Sequence, residues 1–429
     1  MHVLSIPRHR IETTLGDYAG IVASLLSRGE RPGAIAAFER EFATYVRCRH
    51  AIAVSSGRLG MHLILEALEP QPESEVIVPA FNLFAVIERF CQFGIAPRFC
   101  DIRQDDLNID AEAVEQRITP NTRFLLATHM FGHPADMDRL VALAKRHDLI
   151  LLEDCAHALG SRIDHRLVGT MGRASIFSFS VLKLVTTFGG GMIATDDDDL
   201  ADRIRRRLTR LRDRQPRPAG LKKAMTGAIM DIGTRKAVFS LGAWPMLRLL
   251  RTIQPGFQQR IMTESPRLDR EFDPGVVPPL HPFQARLGLS QLGRIEEFIA
   301  RRIAVGAWLD EELSSVAQLT LLRGNMETTL RPALIGEEGA TRHNGLYYGV
   351  LAERAAELRE FLFRRGIDSE TSEYLNCSEL RMYSAYRVDC PVARDVQAHI
   401  LRLPNYPTLS RRDVRRIGQA IRAFYDQSA

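Results

Sequence analysis

The apolar residues of this chain change their spacing again and again, and each change marks an element. Ile35, Phe38, Phe42 and Val46 fall three or four apart, which predicts an amphipathic helix over Ala34–Val46 after a lead-in of about thirty residues that contains helix. His50–Val54 reads as a short strand that stops at Ser55-Ser56-Gly57, and the helical period returns from Arg58 to Leu68. Strands and helices then alternate. Strands are expected at Val76–Val78, Pro97–Cys100, Phe124–Ala127 and Leu149–Leu152, and helices at Phe84–Phe93, Ala111–Arg117 and Met137–Arg146. Such alternation predicts a mostly parallel sheet flanked by helices, with ligands at the carboxyl ends of its strands. Beyond Pro266 the pattern shifts to one long helix or a pair over Phe283–Leu313, then strands at Leu330–Ile335 and Tyr347–Leu351 and helices at Arg354–Arg365 and Asp413–Tyr425. The expected organisation is a large α/β domain over 1–212, a helical segment over 213–270 and a smaller α+β domain over 271–429.

Composition narrows the picture. A chain of 429 residues is long for one core, and 45% hydrophobic with 25% charged residues is ordinary for a globular protein. No apolar run follows Met1–Arg10, and no stretch of about 18 apolar residues occurs, so neither a secretory leader nor a membrane span is expected. The six cysteines are scattered without Cys-x-x-Cys spacing, which favours a reduced, cytoplasmic protein with no zinc site. Net charge is only +5, yet fifteen Lys/Arg and two acids lie between Arg203 and Arg260, a local balance of +13.

The candidate chemistry centres on Lys183. It ends the run Phe177-Ser178-Phe179-Ser180-Val181-Leu182-Lys183 and precedes Gly189-Gly190-Gly191, while the strand Leu149–Leu152 upstream runs into Glu153-Asp154. A lysine after an apolar stretch is commonly a surface residue, and an acid after a strand is commonly a cap. Together, an acid at a strand end and a serine five residues before a lysine form the layout of a pyridoxal phosphate pocket. Ser56-Gly57 opens a helix, where backbone N–H groups and the helix dipole suit a phosphate; it reads equally as a plain N-cap.

Five segments in order carry a resemblance: Ala37–Phe42, Val54–Gly57, Val76–Pro79, Thr128–Met137 and Glu153–Gly160. The stretch from Glu39 to Arg207 resembles the DegT/DnrJ/StrS sugar aminotransferases, within fold type I of the pyridoxal phosphate enzymes. Gln284–Leu289 and Leu403–Pro407 resemble that family's C-terminal domain. The resemblance implies that Lys183 bonds the cofactor and then shuttles the substrate proton, that Asp154 keeps the ring nitrogen protonated, and that His157 lies near the ring hydroxyl. Ser178, Ser56, Gly57 and Arg58 would hold the phosphate. It also implies a homodimer, glutamate as amine donor, and a nucleotide-linked keto-deoxy sugar as acceptor in glycan or natural-product assembly. Retention of Lys183 sets the chain apart from the family's dehydratase branch, which has histidine there.

Several positions depart from the family. Arg58 stands where threonine is usual, and Leu184 follows the lysine in place of asparagine. Leu83 aligns with the aromatic that stacks on the ring; Phe81 and Phe84 flank it, and Phe84 is the candidate cover, with core packing as its equal alternative. Val277-Pro278-Pro279 replaces an Asn-Tyr-Arg stretch that in relatives reaches the neighbouring subunit's cofactor. Relatives also have a shorter connection where Leu221–Ile253 alternates apolar stretches with Lys222-Lys223, Arg235-Lys236 and Arg248, and carries Trp244. That segment suits either a basic amphipathic hairpin lying on anionic lipid at the inner membrane surface, or a hairpin packed on the enzyme or its dimer mate. Nucleic acid is not expected, because neither interleaved aromatics nor a helix-turn-helix pattern accompanies the charge. Two rivals to the nucleotide-sugar enzyme are the same chemistry on a lipid-linked acceptor and a non-catalytic binding protein on the same fold.

Overall fold

The computed structural model describes residues 4–26, 31–212, 220–253, 273–322, 341–371 and 373–427. Seven strands form the main sheet: β1 (His50–Val54), β2 (Glu75–Pro79), β3 (Ala96–Cys100), β4 (Thr122–Thr128), β5 (Ile150–Asp154), β6 (Ala174–Ser178) and β7 (Gly191–Thr195). Their order is β1-β7-β6-β5-β4-β2-β3. The pairs from β6 to β3 are parallel, and β7 runs antiparallel to both β1 and β6. Parallel strands are covered on both faces, which is why Ile77, Val78, Leu125 and Leu126 are all fully buried and the strands read as unbroken apolar runs.

The expected elements appear close to their sequence bounds. The helix anticipated at Ala34 begins three residues earlier, at Arg31, and the Phe283–Leu313 stretch is a pair of helices, Pro282–Leu292 and Ile295–Leu313. His281 caps the first helix by accepting the Phe283 N–H (3.2 Å) while Gln284 returns a bond to the His281 backbone, and Pro282 sits at the first helical position, where its missing N–H costs nothing. The strand expected over Leu330–Ile335 lies outside the described residues. The C-terminal part builds a second, antiparallel sheet ordered Leu319–Leu321, Tyr348–Ala352, Ile400–Leu403, Glu370–Thr371. Strand pairing ties it to the large domain: Leu375-Asn376 pairs with Phe81-Asn82 beside β2, and Thr341-Arg342 pairs with Arg162-Ile163. Ile6 bridges to Ile367, so the start of the lead-in belongs to the C-terminal core.

The basic segment forms helices Gly220–Thr234 and Trp244–Ile253, joined by a π-helical turn, Phe239–Ala243. One face is firmly seated. Asp231 is fully buried and bonds Arg10 (2.5 Å), Tyr18 (2.6 Å) and Arg235 (3.3 Å), while Lys236 pairs with Asp413 (2.5 Å). Trp244 stacks against Phe363 (4.3 Å between centroids), so it belongs to the packed face and not to the solvent face. Among the described residues no helix is long and apolar enough to cross a membrane.

Removing one partner from a buried ionic cluster costs about 3–5 kcal/mol. Asp231→Ala is therefore expected to leave Arg10 and Arg235 uncompensated. Amide exchange across 220–234 should accelerate roughly a hundredfold or more in that variant; unchanged exchange would show that apolar packing alone seats the helix.

Candidate active site

Successive residues of a strand face opposite sides, and the last two of β5 use this. Glu153 turns to one face, where His129 Nε2 (3.1 Å) and the backbone N–H groups of Gly169 (2.7 Å), Met171 (2.8 Å) and Gly172 (2.6 Å) bond its carboxylate. Burial pushes that carboxyl up, and the His129 bond with these N–H groups outweighs it, holding it below the usual range. Cys155 completes a group with metal-ligand atoms within 4.8 Å of one another, but the Glu153 oxygens are already committed to these donors. Asp154 turns to the other face and takes a bond from the Ala156 N–H (2.9 Å). Burial raises its pKa, and the nearby Lys183 charge opposes the rise.

Lys183 lies on the loop between β6 and β7. Phe179 O anchors that loop by accepting from Thr187 N (3.0 Å) and Gly189 N (3.1 Å), and Lys183 N bonds Ser180 O (3.1 Å). Helix Pro282–Leu292 buttresses it: Gln284 Nε2 donates to Thr187 O (3.0 Å), and Gln291 Oε1 accepts from Thr186 N (2.8 Å). The lysine amine makes no hydrogen bond to a described residue and sits 6.0 Å from the centre of the Tyr347 ring. Desolvation brings its pKa down to about 8; Glu373 and Asp154 pull the other way, and Arg402 adds to the fall.

His157 is set by two bonds. Its Nδ1 accepts the Phe131 N–H (3.2 Å), and its Nε2 meets Tyr374 Oη at 2.6 Å. An accepting Nδ1 leaves the proton on Nε2, which therefore donates to the tyrosine. Burial keeps the ring neutral, and the Lys183 and Arg402 charges reinforce this. Phe131 presents its N–H from the left-handed region (φ 56°), a costly conformation for an aromatic residue.

At the other end, Ser178 and the start of helix Gly57–Leu68 come together. A Cβ on Gly57 would lie 3.7 Å from Ser178 Cβ. Gly191 permits this approach, since a Cβ there would come within 2.7 Å of Gly57 N and 2.8 Å of Phe177 O. Ser178 Oγ makes no hydrogen bond to a described residue, whereas Ser56 Oγ is used as the N-cap of Leu59 N (3.1 Å). Arg58 lies within electrostatic reach of Arg89. Phe84 is buried in the large-domain core, with its carbonyl accepting from Tyr383 Oη (2.9 Å).

The C-terminal domain contributes a wall that the sequence pattern did not reveal. Pairing of Leu375-Asn376 with Phe81-Asn82 delivers Tyr374 to His157, and Tyr347 stands edge-on to His157 (5.1 Å). Arg402 is buried, pairs with Glu370 (2.6 Å) and lies 4.6 Å from the Tyr347 ring centre. Tyrosines and an arginine in a distant α+β domain give no local signal of a site; only the pairing and packing between domains bring them in.

An amine, a carboxylic acid on the neighbouring strand end, a hydroxyl beside a helix N-terminus and aromatic walls are the donor set for pyridoxal phosphate, and the residues fit it. A family model of DegT/DnrJ/EryC1/StrS aminotransferases matches residues 25–236 and 247–422. GDP-perosamine synthase of Caulobacter vibrioides is 31% identical over 303 residues, 70% of this chain and 66% of that protein. Spore coat polysaccharide biosynthesis protein SpsC of Bacillus subtilis is 38% identical over 180 residues, 42% of this chain and 46% of that protein. The chain thus matches less than two thirds of the length of these relatives. DesV of S. venezuelae superposes with a TM-score of 0.72 at 27% identity, covering 97% of this chain and 98% of its own. Helicobacter pylori PseC has the same fold, with a TM-score of 0.74, 20% identity, and coverage of 99% and 100%.

Nucleophilic attack needs the unprotonated amine, so lowering the Lys183 pKa to about 8 makes cofactor loading faster as pH rises. Stopped-flow absorbance on cofactor-free protein should show a loading rate that climbs with pH and levels off above a midpoint near 8. A midpoint near the ordinary lysine value of 10.5 would contradict the desolvated environment.

Proposed function

Because the chain belongs to the DegT/DnrJ/EryC1/StrS aminotransferase family, we propose that it transfers an amino group from glutamate to a keto group of a nucleotide-linked deoxy sugar. The observation that carries this reading is the meeting of Lys183 and Asp154 at the carboxyl end of β5. The names of the relatives, one a GDP-sugar enzyme and one a polysaccharide biosynthesis protein, support the acceptor class and a place in glycan assembly.

Bound pyridoxal phosphate supplies an electron sink for the negative charge left when the donor's α-proton departs. Lys183 would hold the cofactor through its amine, and once free, an amine with a pKa of about 8 would be able to accept and return a proton near neutrality. Asp154 would keep the cofactor's ring nitrogen protonated, since a buried carboxylate gains most from a cation placed directly against it. His157, both of whose nitrogens are engaged by Phe131 and Tyr374, would act on the ring side of the cofactor only through Tyr374. Ser178 and the helix start at Gly57 take the phosphate, with Ser56 holding the helix end in shape and Arg58 adding positive charge. Phe84 supports the floor of the cleft from the core. A homodimer completes the assembly, in keeping with fold type I sites that are shared between two copies.

A specific observation favours peripheral attachment to an anionic membrane surface. Most of the exposed large apolar side chains among the described residues lie on the basic segment, with Leu221, Met225 and Ile229 one turn apart and Leu241, Met246 and Leu249 beyond the turn. The exposed Lys222 and Arg248 accompany them without an ion-pair partner among the described residues. Each such cation adds about 1 kcal/mol at an anionic surface, and partial insertion of each apolar side chain adds a similar amount, enough for reversible recruitment.

Two measurements test these readings. Cofactor-loaded protein mixed with glutamate should lose its visible absorption band in a single half-reaction, and Lys183→Ala should show neither the band nor the half-reaction; a persistent band in wild type would refute the aminotransferase. Full-length protein should sediment with vesicles rich in phosphatidylserine, and Leu221→Asp/Met225→Asp/Ile229→Asp should reduce the bound fraction at least tenfold. Equal sedimentation by both, or a variant that instead dissociates to monomers, would remove the membrane reading and, in the second case, assign the stripe to the dimer.

A further inference from the structure

A cavity of about 350 Å³ lies between the loop that carries Lys183 and the first helix of the basic segment. Lys222, Lys223 and Thr226 form one wall, Val181 and Phe188 another, and Pro278-Pro279 a third. The helix is built to sit this close. A Cβ on Gly227 would lie 2.1 Å from Phe188 Cγ, and one on Gly220 would lie 2.5 Å from His281 Nε2. Lys223 arches over the glycine run after Lys183, with its Cε 3.4 Å from the position of a Cβ on Gly189, whose φ of +108° already demands glycine.

Among the described residues no carboxylate lines this cavity. Lys223 is partly withdrawn from water, and burial alone lowers its pKa, with no acid opposing the change. Two lysine side chains against proline and phenylalanine walls, with no acid beside them among the described residues, suit an anionic ligand. The site itself is larger than one phosphoryl group requires and falls in the range of small-ligand pockets. The phosphate end of the proposed cofactor cleft is already furnished by Ser178 and the Gly57 helix start, neither of which lines this cavity.

Resting on the proposed aminotransferase function, we propose that this cavity is a binding site for the diphosphate of the acceptor, with Lys222 and Lys223 each meeting a phosphoryl group and the apolar walls covering the adjoining part of the ligand. The position follows from the reaction: an acceptor whose keto carbon reaches Lys183 must carry its diphosphate away along a neighbouring surface, and the loop 181–188 is shared by both sites. Charge-assisted bonds from lysine to phosphate are among the stronger polar contacts, so loss of both is a large effect.

The test uses full-length, cofactor-loaded protein and isothermal titration calorimetry with pyrophosphate, GDP and inorganic phosphate. Wild type should bind pyrophosphate and GDP at one site per chain and more tightly than inorganic phosphate. Lys222→Gln/Lys223→Gln should weaken both at least tenfold while cofactor content and thermal midpoint stay constant, and Lys222→Arg/Lys223→Arg should keep them within about threefold. Thr226→Glu, which places a carboxylate on the same wall without touching either lysine, should also weaken both. Unchanged affinity in the glutamine pair or in Thr226→Glu would overturn the proposal, as would inorganic phosphate binding as well as pyrophosphate. Loss of cofactor from the glutamine pair would overturn it too, by giving the lysines to the cofactor. Wild type that binds pyrophosphate yet shows no half-reaction with glutamate would support the cavity and refute the aminotransferase reading.

Discussion

Keeping an amine out of water in sight of a buried acid is the constraint on which the rest of this structure turns. An ammonium ion is stabilised by hydration, so half-burying Lys183 weakens its hold on a proton, and burying Asp154 strengthens that acid's hold on its own. Left alone, each therefore drifts toward its neutral form. A bound cofactor with a protonated ring nitrogen would reverse the balance for the acid and would take up the amine. The fold pays for this preference: from pH 8 up to the ordinary lysine value the unfolded chain binds the extra proton, so stability rises with pH across that window and the penalty is complete below it. A lysine kept under that penalty is a lysine with a task.

The surrounding architecture explains how the amine is held. Five lysines occur in the chain, at 145, 183, 222, 223 and 236, against a large excess of arginine. Only Lys183 is fixed from several directions, by a loop tied to Phe179, by Gln284 and Gln291 of one helix, and by tyrosines from the C-terminal domain. Strand alternation does a second job. Glu153 and Asp154 differ by one residue and by one face, so the first knits the turn at 169–172 while the second stays available to a ligand.

Much of this was legible in the sequence. The alternation of strands and helices, the Asp154 strand end, and the Ser178–Lys183 spacing follow from local periodicity, and local periodicity survives folding. The C-terminal contributions were not legible, because Tyr374 reaches the site beside a pairing of residues nearly 300 positions apart, and Tyr347 and Arg402 come from a sheet equally remote in the chain. The roles of Ser56 and Phe84 show the same limit on a smaller scale: a serine before a helix reads alike as phosphate ligand or N-cap, and here it caps. Trp244 sits in a basic amphipathic stretch whose period does not say which face is buried, and it stacks on Phe363. What remains outside on that stretch is aliphatic.

The basic segment thus has two distinct faces, one bound to the enzyme through Asp231 and Trp244 and one apolar and cationic face turned outward, with a cavity where it meets the Lys183 loop. Each of these assignments presupposes that Lys183 is the amine that holds the cofactor. Borohydride reduction of pyridoxal-phosphate-loaded protein, followed by digestion and peptide mass spectrometry, reads that directly. The account predicts a single stable adduct on Lys183 at one per chain; an adduct mainly on Lys145, Lys222, Lys223 or Lys236 would contradict it.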